Sequence, residues 1–365
     1  MRIAFYSPIA KPNEATPSGI SRVGALLVQA LQTAGYVVDI PPLPRSYEGE
    51  GDAARQSQLF SECENAATNY LEAIALGKEP RPDLWFSYHV YYKSPDWIGP
   101  HVAKLLGIPY VIAEGSHAPK RAKGPWALGH DATTRALQAA DRLLAMTSFD
   151  RICLEWIDKA RVRDLKPFID PTPFMCGPPS ACRGNLALAH GMMRNERKRA
   201  SFALLAAAVA KLPDLDINLE IIGDGVYRRE IEQMFEPRSP LHTIYFSGAV
   251  TPREIPNRVA ASAILAWPGI GEAYGIAYLE AQAAGLAIVA CRDRGVPDVV
   301  LENRTALLSE PGDVAAYAAN LRRAITDTKL REDLGAAAQT FVVAERSVTA
   351  AAKNLRQILS ELQDR

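Results

Sequence analysis

The chain has 365 residues, with 41 lysines and arginines against 41 aspartates and glutamates, and 48% hydrophobic residues. That length exceeds what one hydrophobic core usually fills, so two domains are expected, and the balanced charge offers no bulk attraction to nucleic acid. No apolar run approaches the roughly 18 residues of a membrane helix, and the scattered cysteines (Cys63, Cys153, Cys176, Cys182 and Cys291) form no CxxC pair, which argues against a zinc site or a disulfide framework.

The opening, Met1 to Tyr6, is an apolar strand stopped at Pro8 and not a signal peptide. A cytoplasmic protein is therefore expected, with peripheral contact at the inner membrane face left open. A loop to Ser18 leads into a predicted helix over 20–34, closed by Gly35, then a strand over 36–40. A long predicted helix over 52–76 follows, with short apolar strands at 84–88 and 110–113 and a helix at 101–106 between them. A helix at 133–140 and a strand at 142–145 complete the first half. Around Pro171, Pro173, Gly177, Pro178, Pro179 and Gly184 the texture changes to that of a connector. The alternation then restarts: strands at 186–189, 218–222, 243–246, 263–267 and 287–290, helices at 200–211, 227–234, 252–260 and 275–284, and a short helix near Pro297. Alternating strands and helices imply parallel sheets covered on both faces. The expected architecture is α/β, with two Rossmann-like, doubly wound domains facing a central cleft. Their expected bounds are 1–172 and 173–345, with a helix over 346–365 returning toward the first domain.

The most informative segment runs from Glu272 to Gly285. It follows a strand and the breakers Pro268, Gly269 and Gly271, so a helix begins at the carboxyl end of a strand with small residues at its opening. The amides and positive dipole end of such a start form an anion site, and Gly275 permits close backbone approach to a phosphate. Glu272 at the mouth and Glu280 about two turns in offer carboxylates for sugar or ribose hydroxyls. The spacing alone is cheap, and a glutamate near a helix start is also ordinary dipole compensation.

The flanking residues give the spacing meaning. Glu272, Tyr274-Gly275 and Glu280-Ala281-Gln282-Ala283-Ala284-Gly285 resemble, in order, the signature of the retaining glycosyltransferases called family 4, of GT-B fold. Ile221 to Gly225, Phe246 to Val250, Gly295 to Val300 and Pro311-Gly312-Asp313 resemble further loops of that family. Pro17-Ser18-Gly19 resembles its N-terminal glycine loop. The resemblance implies transfer of a hexose-like unit from a nucleoside diphosphate sugar to an acceptor hydroxyl, with retention and without a metal or other cofactor. It implies that Glu280 binds the ribose, that Glu272 binds the transferred sugar, and that amides near Ala273, Tyr274, Gly275 and Ile276 hold the distal phosphate. Gly19, Gly225 and Val250 would line the donor. The family's basic pair matches Arg194 and Arg199 in spacing, with Lys198 the rival for the second position. Fixed cations there would stabilise a departing diphosphate. His117, just past the strand at 110–113, matches a histidine that contacts the donor sugar. Asp170, in Pro167-Phe168-Ile169-Asp170, stands near the family's usual Asn-Gly-Val-Asp loop but departs from it. Ser18-Gly19 and Gly269-Ile270 also depart, which leaves the sugar unnamed.

Other signals carry less. Asp214-Leu215-Asp216 has a metal-binding form but precedes a strand, at the wrong end of the sheet, and reads as a surface turn. Lys120, Arg121, Lys123 and Trp126 form a basic loop beside His117 that suits an anionic lipid, a charged acceptor or plain solvent. The expected partners are a nucleotide sugar and a glycan, lipid-linked or small-molecule acceptor, with no nucleic acid. Two rivals remain: a sugar-nucleotide epimerase on the same fold, and a silent scaffold subunit.

Overall fold

A computed structural model describes residues 1–12, 19–175, 184–194 and 196–362. The chain divides into two compact units, one formed by Met1–Lys166 with Val348–Arg365, the other by Pro167–Ser347.

In the first unit the elements run β1 (Arg2–Tyr6), α1 (Gly19–Thr33), β2 (Val37–Asp39), α2 (Ala53–Ala75), β3 (Leu84–Val90) and α3 (Gly99–Leu106). They continue with β4 (Tyr110–Gly115), α4 (Ala127–Ala139), β5 (Arg142–Ala145), α5 (Ser148–Asp158) and β6 (Val162–Asp164). The strands pair in the order β2-β1-β3-β4-β5-β6, every pairing parallel. A parallel sheet is covered on both faces, and β3, β4 and β5 are accordingly almost wholly buried. Local chemistry sets the helix ends. Asp52 caps α2 by accepting from the amides of Ala54 and Arg55 at 2.9 and 3.1 Å, and Gly107 closes α3 at a φ of 63°.

The second unit contains β7 (Ala187–His190), α6 (Glu196–Ala210), β8 (Ile217–Ile222), α7 (Arg228–Met234), β9 (His242–Gly248) and α8 (Ile255–Ala261). It goes on with β10 (Ile264–Ala266), α9 (Ile276–Ala283), β11 (Ala287–Cys291), α10 (Val296–Val299), β12 (Ala306–Ser309), α11 (Val314–Thr326) and α12 (Thr328–Glu345). Its parallel sheet has the order β12-β11-β10-β7-β8-β9. The order reverses beside β7 and β10, the position at which open α/β sheets bind ligands beyond their carboxyl ends.

The units part at Lys166 and Pro167, ahead of the expected 172. The Ile169 amide donates to the Arg346 carbonyl at 2.9 Å, and Phe168 and Ile169 are buried, which ties this stretch to the second unit. The last helix, α13 (Val348–Ser360), belongs to the first unit. Arg356 donates to the Ala34 carbonyl at the end of α1, and Glu361 accepts from Arg142 and Arg163. Residues 176–183 of the expected connector, with Pro17 and Ser18, lie outside the described residues.

Five elements had no counterpart in the sequence reading: α5, β6, β12, α11 and α12. The start of α5 is a capping box: the Thr147 hydroxyl accepts from the Asp150 amide, and the Asp150 carboxylate accepts from the Thr147 amide. Helix α4 opens at Ala127, a turn and a half before the expected start, and α6 opens at Glu196 instead of Ala200. The second of these differences decides how the basic residues at 198 and 199 are used.

Candidate active site

At the carboxyl edge of the second sheet three loops meet. The first follows β7, the second follows β8, and the third links β10 to α9. The first two are tied by main-chain bonds. The Gly191 amide donates to the Ile222 carbonyl and the Met193 amide to the Asp224 carbonyl, both at 3.0 Å, and the Tyr227 amide returns to the Met193 carbonyl. A Cβ at Gly225 would strike Met193 and the Arg194 side chain, so glycine there lets the loops lie together. Arg194, exposed, therefore sits directly over Gly225. Gly248, at the end of β9, accepts from the Gly223 amide at 2.9 Å, and Val250 follows two residues later.

The third loop is held from both sides. The Ser201 hydroxyl accepts from the Ile270 amide at 2.9 Å, and the Asp293 carboxylate accepts from the Gly271 amide at 2.6 Å. Gly275 takes a φ of 64° and turns the chain into α9. Ala273, Tyr274, Gly275 and Ile276 thus form the approach to a helix start, and Glu280 lies buried within α9 at 2% exposure. The Tyr278 hydroxyl donates to the Trp267 carbonyl at 3.0 Å, locking this helix to the end of β10.

Glu272 is the centre of the arrangement. Its Oε1 accepts from the ammonium of Lys198 and from the indole Nε1 of Trp267, the latter at 3.2 Å. The Lys198 ammonium also stands 5.3 Å from the Trp267 ring centroid, and Phe202 meets that ring edge-on at 4.9 Å. Arg199 turns elsewhere: its guanidinium donates to Glu230 at 2.6 Å and to Glu196 at 3.2 Å. Because α6 already runs from Glu196, residues 198 and 199 are successive helical positions about 100° apart around its axis, so only one can face Glu272. It is Lys198, the rival for the second basic position, that meets Glu272, while Arg199 is held by Glu230 and Glu196. Trp267 was missed by the sequence reading. The available signal was a large aromatic placed immediately before the Pro268-Gly269 break.

Gly19 and His117 belong to the first unit. Gly19 is the first residue of α1 and exposed. His117 lies just beyond β4, its ring 5.3 Å from that of His130 on α4. Burial, and then the neighbouring His130, lower its pKa, which favours a neutral imidazole. Asp170 instead caps a short turn, accepting from the Thr172 amide at 3.0 Å. The Asp214 carboxylate receives both arms of Arg322 at 2.7 and 2.8 Å on an exposed surface, as a surface turn would.

A second cluster of the first unit escaped the sequence reading. His89 and Glu114 face each other on β3 and β4, both with left-handed backbones, φ 63° and 56°, between the regular pairs Tyr88–Ala113 and Val90–Gly115. The His89 Nδ1 is 3.0 Å from the Glu114 Oε1. Although burial opposes it, Glu114 raises the His89 pKa. Asp150 stands close enough for its own pKa to be pushed up to about 6, by burial first and by Glu114 second. Two adjacent non-glycine residues in this region store strain that packing must hold.

Two Rossmann-like units, with the ligand edge of the second built from a glycine-opened helix and a carboxylate–lysine pair, define the GT-B class of protein. Residues 191–341 match the model of the family described as glycosyl transferases group 1. It is 33% identical over 142 residues to a sulfoquinovosyl transferase of Arabidopsis thaliana, a match covering 38% of this chain and 27% of that relative. The chain thus spans about a quarter of that relative's length. Among solved structures, a sucrose-phosphate synthase from Thermosynechococcus elongatus aligns with a TM-score of 0.74 at 18% identity, over 100% of this chain and 99% of that one. An Anabaena protein crystallised with UDP-glucose aligns with a TM-score of 0.66 at 16% identity, over 99% and 100%. These structural likenesses establish the fold.

Proposed function

We propose that the chain transfers a sugar from a nucleoside diphosphate sugar to an acceptor hydroxyl, with retention of anomeric configuration. The observation that carries this is the pairing of Glu272 with Lys198 at the mouth of α9, with Glu280 buried in the same helix. The sulfoquinovosyl transferase relative and the UDP-glucose complex of the Anabaena protein favour a nucleotide sugar as donor.

On this reading the amides opening α9 receive the distal phosphate. Glu280 accepts from the ribose hydroxyls and Glu272 from those of the transferred sugar. Arg194 and Lys198 supply fixed positive charge as the diphosphate departs, when stabilisation matters most. The leaving phosphate then takes the acceptor proton on the same face of the sugar, so no protein nucleophile is required. A neutral His117 can donate to or accept from a sugar hydroxyl. No metal is assigned a role. The acceptor is a glycan, a lipid-linked sugar or a small molecule.

The experiment is a calorimetric screen of UDP, GDP, ADP and dTDP, followed by the sugars of whichever diphosphate binds, with and without acceptors and with EDTA. Diphosphate binding and transfer that survives EDTA are expected. Conversion of the donor sugar to its epimer without any acceptor would favour the epimerase, and failure of every diphosphate to bind would favour a silent scaffold.

A further inference from the structure

The first unit carries an apolar stripe that is largely exposed. On α5, Phe149, Ile152 and Trp156 recur at intervals of three and four residues, so they share one helical face. They are 61%, 58% and 71% exposed. The core-facing side of the helix is a different one, where Leu154 is buried and Cys153 and Ile157 pack against the core cluster. A third side is closed by ion pairs: Arg151 with Glu155 and Asp164, and Asp158 with Arg161. The stripe is thus distinct from the side by which the helix joins the core. Scattered exposed apolar residues are ordinary, but three large ones aligned over two turns form a contiguous patch that marks an interaction surface.

The charges bordering the stripe identify what it meets. Its acidic neighbours, Glu155 and Asp158, are already paired with arginines. Lys159 follows Trp156 by three residues, at the end of the stripe, and is exposed. On the other flank, the Cys153 thiol meets Ser116 and the backbone of His117. From there the chain runs into the basic loop, where Lys120 and Lys123 are exposed. The other two members of that loop are engaged: Trp126 is buried, and Arg121 lies 5.2 Å from the Tyr92 ring centroid. An aromatic and aliphatic stripe bordered by exposed lysines matches the interfacial region of an anionic bilayer. Indole and phenyl rings settle there at headgroup depth, and each lysine near the surface adds attraction.

We propose that the Phe149–Ile152–Trp156 face of α5, with Lys120, Lys123 and Lys159, docks the first unit on an anionic phospholipid surface. Docking there places His117, which abuts Cys153 of the same helix, near the membrane. That arrangement suits an acceptor presented by the lipid. The acceptor inference rests on the proposed transfer function, but vesicle binding does not.

The test is sedimentation of the full chain with phosphatidylcholine vesicles, with and without phosphatidylglycerol. The wild type should bind the anionic vesicles and bind less at high salt. The double variant Ile152→Ser/Trp156→Ser should lose at least about tenfold in partition, from the apolar area it no longer inserts. Lys120→Glu/Lys123→Glu should abolish the preference for anionic lipid. Both variants alter exposed side chains, so melting temperature and diphosphate affinity should stay at wild-type values. Absence of vesicle binding, or equal binding by the stripe variant, would overturn the proposal. So would a wild-type dimer in light scattering that the stripe variant splits, since a second copy would then be what covers the face.

Discussion

The carboxyl edges of the two sheets are built in opposite ways. In the second unit the candidate site is mostly one contiguous segment, Trp267 to Glu280, completed by the residues after β7. In the first unit the polar residues at the same edge come from four separate places: His89 on β3, Glu114 and His117 at or past β4, His130 on α4 and Asp150 on α5. A contiguous site is fixed by local backbone chemistry, here glycines at Gly269, Gly271 and Gly275 with positive φ. A dispersed one depends on packing and on strained residues such as His89 and Glu114.

The comparison can be pressed first where the largest effect is expected. Arg194→Ala should slow transfer by roughly a hundredfold or more, the scale of losing one transition-state charge partner. Because Arg194 is exposed, the melting temperature should hardly move. Turnover unchanged at saturating donor would make Arg194 part of an ordinary basic turn. A smaller effect is expected at His117. With its pKa lowered by burial and by His130, loss of activity in acid should begin below the usual histidine range. His130→Asn removes the second cause, so the acid limb of the pH–rate profile should move up. A limb that stays in place would mean that the neutral His117 is not what the reaction uses.

Asp150 probes the stability of the dispersed edge. Its folded pKa, pushed up to about 6, lies above the ordinary aspartate value of 3.8, so folding favours the protonated form. The stability this contributes is fully present below about pH 4 and is lost as pH rises through about 6. Asp150→Asn, which cannot ionise, should flatten that decline in urea titrations across the same window. An unchanged slope would place the titration on another group. The smallest effect is expected at Arg199→Ala: transfer should stay within about twofold of wild type, since exposed ion pairs contribute little. A loss as large as that of Lys198→Ala would return Arg199 to the site.

The legibility of the two edges differed for the same physical reason. Short, mostly apolar strands such as Leu84–Val90 and Ala287–Cys291 announce a buried parallel sheet, and Pro268 with three nearby glycines announces the helix start at the edge of the second sheet. Helix α5 was not legible, because Phe149, Ile152 and Trp156 add apolar residues on a face that is not core and so blur its period. The choice between Lys198 and Arg199 was hidden because it turns on where α6 begins. The His89–Glu114 pair joins residues on different strands, and nothing in either local sequence announces a left-handed backbone. Trp267 read simply as the end of an apolar strand.

The central claim is that the two glutamates of the donor edge divide the donor between them, and calorimetry tests it directly. Free nucleoside diphosphate and intact donor are titrated into the wild type, Glu280→Gln and Glu272→Gln. A hydrogen bond to a charged group is worth about 1.5–3 kcal/mol, so Glu280→Gln should weaken both ligands by roughly tenfold or more. Glu272→Gln should leave diphosphate binding near wild type and weaken the intact donor, because the hydroxyl it meets is absent from the product. Equal loss of diphosphate affinity in both variants, or loss in neither, would contradict the division of roles.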